Sequence, residues 1–176
     1  MRFREAFAAG DMREAVAHLE IQAAALVECA QHTRVRGAIR YDVVDRLATP
    51  YVERGQPVFP YFDVERTAAG VFEYWLIVSE ILASAAWHVT KLIAGPGEYD
   101  DALRRMQSPQ IVRAIPPPLL PSAELRDDGT ALLDVTVYTR AGEERVERRT
   151  LALGTDNEFR FHNRVLLAEG RGGVDV

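Results

Sequence analysis

The nine residues AIPPPLLPS, Ala114–Ser122, contain four prolines. Proline has no amide hydrogen and a fixed φ, so this run cannot be a helix interior or an inner strand. It reads as a stiff, extended connector. It also separates two kinds of pattern. Before it, apolar residues recur at spacings of three and four. After it, they alternate. The expected fold class is therefore α+β, with N-terminal helices followed by a C-terminal antiparallel β-meander of three to four strands. A chain of 176 residues, 48% of them apolar, is enough for one such core. The expected organisation is a single α+β domain over residues 1–168: a helical region over residues 1–110, the connector 114–122 and the meander 123–168. A flexible tail, 169–176, follows.

The most apolar stretch is EYWLIVSEILASAAWHVTKLIAG, Glu73–Gly95. It has the length of a bilayer span, about 20 residues. However, Glu80 lies near its middle, where a charge costs roughly 2.5–3.5 kcal/mol on insertion, and His88 and Lys91 follow. No membrane span is expected. Val71, Trp75, Val78, Leu82, Ala85, Val89 and Leu92 form one stripe at alternating steps of four and three. The run is read as one long central helix over about 64–94, capped by Asp63, stopped by Gly95-Pro96-Gly97, and packed on the meander.

Upstream, residues 2–9 read as a short helix ending at Gly10. Asp11, with Glu14 three residues on, opens a second helix running to about Thr33. Its stripe is Met12, Val16, Leu19, Ala23, Leu26 and Ala30. Ile39, Val43, Val44 and Leu47 indicate a third helix, ended by Pro50. An aromatic loop, YVERGQPVFPYF, follows, and a short helix is expected over Glu98–Met106. Downstream, strands are expected over 123–126, 130–140, 143–153 and 158–167, with turns at Asp128-Gly129, Ala141-Gly142 and 154–157. Leu133, Val135 and Val137 should share one face of their strand, as should Phe159, Phe161 and Val165 of theirs.

The segment REAFAAGDMREAVAHL, residues 4–19, resembles the opening helix pair of NTF2-like (SnoaL-like) small-molecule enzymes, and also the helix junction of a tetratricopeptide repeat. The first resemblance implies an NTF2-like/cystatin-like α+β cone as the alternative fold. That family places strands where the long helix is read here. No repeat recurs at the tetratricopeptide period. Neither resemblance carries a functional residue onto this chain.

Net charge −5 and a pI near 5.4 argue against duplex nucleic acid as a partner. One cysteine, Cys29, and an N-terminus without an apolar signal core imply a reducing, cytoplasmic setting. No phosphate loop, dinucleotide fingerprint, nucleophile elbow or metal spacing is present, so no cofactor and no metal are expected.

The candidate catalytic residues are Glu80 and His88, one helical face apart by two turns, with Ser84 between them and Lys91 beyond as ligand-binding candidates. Arg34, Arg36 and Arg40 gather near Gly37 at a helix junction suited to a small anionic ligand. His162, with Arg160 and Arg164, should lie opposite Phe159 and Phe161, facing an acidic partner or pairing with Asp134 and Glu147. The expected function is a soluble, non-catalytic binding or accessory protein. It would act through contacts with a protein partner or by self-association, using the sheet face or the aromatic loop. The alternative is a small-molecule-binding protein or enzyme, with Glu80 and His88 in a pocket between helix and sheet.

Overall fold

The computed structural model describes residues 12–44, 47–86, 90–113, 118–140 and 143–170. The expected helix over 2–9 with its Asp11 cap, residues 114–117 of the connector, the Ala141-Gly142 turn and the tail beyond Gly170 lie outside them. The architecture is α+β, with three α-helices among the described residues and a curled antiparallel sheet of six strands. The chain forms two compact units. One takes the described residues up to Ala86 together with Asp156–Glu158. The other takes Thr90–Thr155 and Phe159–Gly170.

The first unit opens with helix α1 (Met12–Glu28), which buries Ala15, Leu19 and Ala23 along one stripe. Strands β1 (Thr33–Val35) and β4 (Phe62–Val64) form an antiparallel ribbon, with Arg34 opposite Asp63. Between them in sequence, β2 (Arg40–Val44) and β3 (Leu47–Tyr51) form a hairpin. This replaces the third helix expected over Ile39–Leu47. Ile39, Tyr41 and Val43 also satisfy a period of two, and the run is β-branched and aromatic. In a two-stranded ribbon, Pro50 can stand opposite Tyr41 without removing a needed ladder bond. Gly37 turns the chain from β1 to β2 with φ +115°, and a Cβ there would meet Val52 Cγ1 at 2.7 Å, so only glycine fits.

Helix α2 (Ala68–Ala86) begins four residues later than expected, because Asp63 is spent in β4. Thr67 caps it, its Oγ1 accepting the Gly70 N–H at 3.1 Å. Val71, Tyr74, Trp75, Ile77, Val78 and Ile81 are buried on it. Asn157, at φ +62°, belongs to this unit. Its side chain donates to Phe62 O (2.6 Å) and accepts from Arg66 (2.8 Å), and its own carbonyl accepts the Tyr74 hydroxyl (2.6 Å). Asparagine tolerates the left-handed region that these bonds require.

The second unit begins with β5 (Thr90–Ile93), a strand, so the expected helix over 64–94 ends short at Ala86. β-Branched Thr90 and Ile93 favour the ladder they form against Thr139 and Thr136. Helix α3 (Pro96–Arg105) follows, with Pro96 at its first position. The remaining strands are β6 (Gln110–Ile111), β7 (Ser122–Leu125), β8 (Ala131–Thr139), β9 (Glu144–Leu153) and β10 (Phe159–Gly170). The order is β5-β8-β9-β10-β6, with β7 also pairing β8. β5 and β7 share one edge of β8, taking Thr136–Thr139 and Ala131–Asp134 respectively. The expected meander is thus β7 to β10, enlarged by two strands from upstream of the proline run.

Within this unit the helix packed on the sheet is α3. Its Tyr99 and Ala102, with Met106, join Ile93, Tyr138, Val146 and Leu167 in one core. Two bulges interrupt β10, at Phe161/Asn163 and Leu166/Ala168. The first flips the alternation. Phe161 pairs with Leu151 and Arg164 with Arg149, so both lie on one face, whereas Val165 pairs with Arg148 on the other. The expected single face of Phe159, Phe161 and Val165 is therefore broken at His162.

Candidate functional site

Glu80 is exposed on α2. Ser84 falls within α2, but its side chain, like all of His88, lies outside the described residues. Lys91 is on β5, opposite Tyr138, and not one helical turn beyond His88. With Glu98, Asp101 and Arg105 it lines a hollow of about 10 Å³, room for roughly one water. His162 is the exposed bulge residue of β10. The bulge separates Arg164 from Arg160: Arg164 turns toward Glu147 (3.6 Å), beside Arg149, which lies over the Phe161 ring at 5.5 Å. Among the described residues no group of three or more His, Cys, Asp or Glu side chains is arranged to hold a metal ion, and no helix is long and apolar enough to cross a membrane.

Of the arginines expected at a helix junction, Arg34 and Arg40 sit on strands and Arg36 in the bend that follows β1. Arg36 donates to Pro60 O (2.6 Å) and approaches Asp63 (3.5 Å). Arg40, on β2, pairs with Glu20 of α1 at 2.7 Å. Arg34 lines a polar pocket of about 320 Å³ with Gln31, His32, Asp63, Val64 and Glu65. Two carboxylates organise this corner. Glu73 of α2 accepts the N–H groups of Gln31 (2.8 Å) and His32 (2.7 Å) just past the end of α1. Burial alone would raise the Glu73 carboxyl, but these two amides hold it below the usual carboxylate range. Glu65 meets His32 Nδ1 at 2.7 Å and raises the imidazole above its ordinary value. The carboxylate fixes the proton on Nδ1 and leaves Nε2 as the exchanging nitrogen.

On the other side of β1 lies an apolar groove of about 540 Å³. Ala17, Ile21, Ala24 and Val27 of α1 form one wall, and Val35 and Ile39 the other. The Glu20–Arg40 pair closes its rim. Small alanines hollow the groove, and Ile21 stands at its lip, 68% exposed. The sequence carried this signal: Ile21, Ala17, Ala24 and Ala25 are apolar yet lie off the Met12–Leu19–Ala23 stripe.

The chain matches no protein-family model, no curated protein and no solved structure.

Proposed function

We propose that this protein is a non-catalytic binding or accessory protein whose contact surface is the groove beside α1, and that its partner is a protein presenting an amphipathic helix. The observation that carries this is Ile21. A large aliphatic side chain left 68% in water at the edge of an apolar groove loses free energy that a covering partner would recover. A groove between a helix and a strand accepts another helix through apolar anchors one turn apart. The Glu20–Arg40 pair at the rim is neutralised within the chain, and Glu28 is the lining charge left to pair with a base on the partner.

The test is an NMR titration of the ¹⁵N-labelled protein with a synthetic amphipathic leucine–alanine helix of about 18 residues. Amide shifts should concentrate in residues 17–28 and 35–40 and disappear in Ile21→Glu. At a protein concentration where the chain is monomeric, shifts spread elsewhere, or none, would remove the proposal.

A further inference from the structure

Resting on that reading, we infer that the helix received by the groove is α1 of a second copy, laid antiparallel about a two-fold axis that passes between Glu20 and Ile21. Three features of α1 lead there.

The first is placement. Ala17 and Ala24 are equidistant from that axis, so each faces the partner's equivalent of the other, and their small side chains allow close helix approach. Ile21, beside the axis, then enters the partner's groove while the partner's Ile21 enters this one. Such an isologous contact closes on itself and needs no second kind of surface.

The second is charge. Arg13 and Glu28 are exposed at the two ends of the same outer face, and neither has a partner among the described residues. They too are equidistant from the axis. Antiparallel pairing sets Arg13 beside the partner's Glu28, twice over. Parallel pairing would set like charges together.

The third is the helix dipole. An isolated helix favours acid in its first turn and base in its last. In α1 the first turn carries Arg13 beside Glu14, whereas at the negative C-terminus Glu28 stands with no basic residue in the last turn. The C-terminal end, with Glu28 and no base, is unfavourable in one copy and is relieved in the pair. The partner's Glu28 then reaches the N-terminus of α1, and the partner's Arg13 reaches its C-terminus.

Sedimentation velocity on the full chain, across a concentration series, tests this. The wild type should be a dimer. Ile21→Glu should be a monomer with an unchanged circular dichroism spectrum, since its side chain is largely in water. Arg13→Glu should raise the dimer dissociation constant about tenfold or more, because two attractions become two repulsions. Adding Glu28→Arg should restore it, because reversing both signs rebuilds both pairs. A wild type monomeric at every concentration overturns the inference, as does a dimer that Ile21→Glu leaves intact or whose Arg13→Glu loss Glu28→Arg fails to repair. The helix titration above separates the failures. If the chain is monomeric yet its groove amides still shift with the synthetic helix, only self-pairing falls; if neither occurs, the binding reading falls as well.

Discussion

Helices α1 and α3 each lay a short apolar stripe on their own unit, α1 through Ala15, Leu19 and Ala23, α3 through Tyr99 and Ala102. Each is also held just past its C-terminus by a carboxylate from another element. Glu73 accepts the amides of Gln31 and His32 after α1; Glu144 of β9 accepts that of Gln107 after α3. Their outer faces differ. α3 shows water Glu98 and Asp100 early and Arg104 and Arg105 late, the order its dipole favours. α1 shows Ala17, Ile21, Ala24 and Ala25 between a mixed start, Arg13 and Glu14, and an end where Glu28 stands without a base. The same inward packing can thus end in a surface complete in water or in one that gains from cover, and only the outer residues distinguish the two.

The largest effect should come from removing the hold on α3. Glu144 is 1% exposed; it accepts the Tyr138 hydroxyl (2.9 Å), Arg140 Nε (3.1 Å) and the Gln107 amide (3.0 Å). Desolvation, and then the carboxylate beside it, push the Tyr138 hydroxyl up to about 12. Gly170 leaves room for this site: a Cβ there would lie 3.0 Å from Met106 Cβ and 3.2 Å from Glu144 Oε2. Glu144→Leu strands three donors and should cost about 3 kcal/mol, read from the urea midpoint, with faster hydrogen exchange through α3. Glu144→Gln keeps an acceptor for Gln107 and should cost about half as much. A loss under about 0.5 kcal/mol for the leucine variant would mean that α3 is seated by its apolar core alone.

A matched pair tests the outer faces against the inner. Ala102→Leu overfills a site 5% exposed and should cost about 1–3 kcal/mol. Ala24→Leu, on the exposed face of α1, should stay within about 0.5 kcal/mol when unfolding is followed on dilute protein. Equal losses would show that α1's outer face is already packed, and the contrast between the helices would dissolve.

How far these features were legible follows from which periods were unambiguous. The α1 stripe as far as Ala23 and the strands β8 and β9 repeat without competing patterns and read correctly, but α1 ends at Glu28, short of the expected Thr33, which starts β1. The hairpin β2–β3 did not, because Ile39, Val43, Val44 and Leu47 fit a helix while Ile39, Tyr41 and Val43 fit a strand. Only the tertiary setting, which buries Ile39 and Tyr41 together, decides between them. β5 was hidden inside an apolar run that begins as helix, and β6 is two residues long. The bulge at His162 left no trace in composition, so the face assigned to Arg160, His162 and Arg164 failed there. The polar corner was half visible. His32 and Arg34 stood out as residue types, but Glu65 and Glu73, which organise them, are 33 and 41 positions away.

The smallest expected effect lies at the exit of α1, where His32 meets Glu65. The hydrogen bond to that carboxylate raises the imidazole above its ordinary ~6.5, against the opposing effect of burial and with smaller help from the charges of Glu65 and Glu73. A raised folded-state pKa means that the protonated pair contributes stability fully below the unfolded value of ~6.5 and loses it as pH rises through the folded value. The pair is solvent-exposed, with 33% of the His32 side chain in water, so the change in stability should be small and weaker in salt. The titration midpoint is the sharper reading. Following the His32 ring protons by NMR should give a midpoint above ~6.5 in the wild type and one close to ~6.5 in Glu65→Gln, where the acceptor remains and the charge does not. No such change should follow from Glu144→Gln, which belongs to the other helix. A wild-type midpoint at or below ~6.5 would mean that Glu65 and His32 are apart in solution. The exit of α1 would then rest on Glu73 alone, leaving its backbone amides, like Gln107 after α3, held by a single carboxylate.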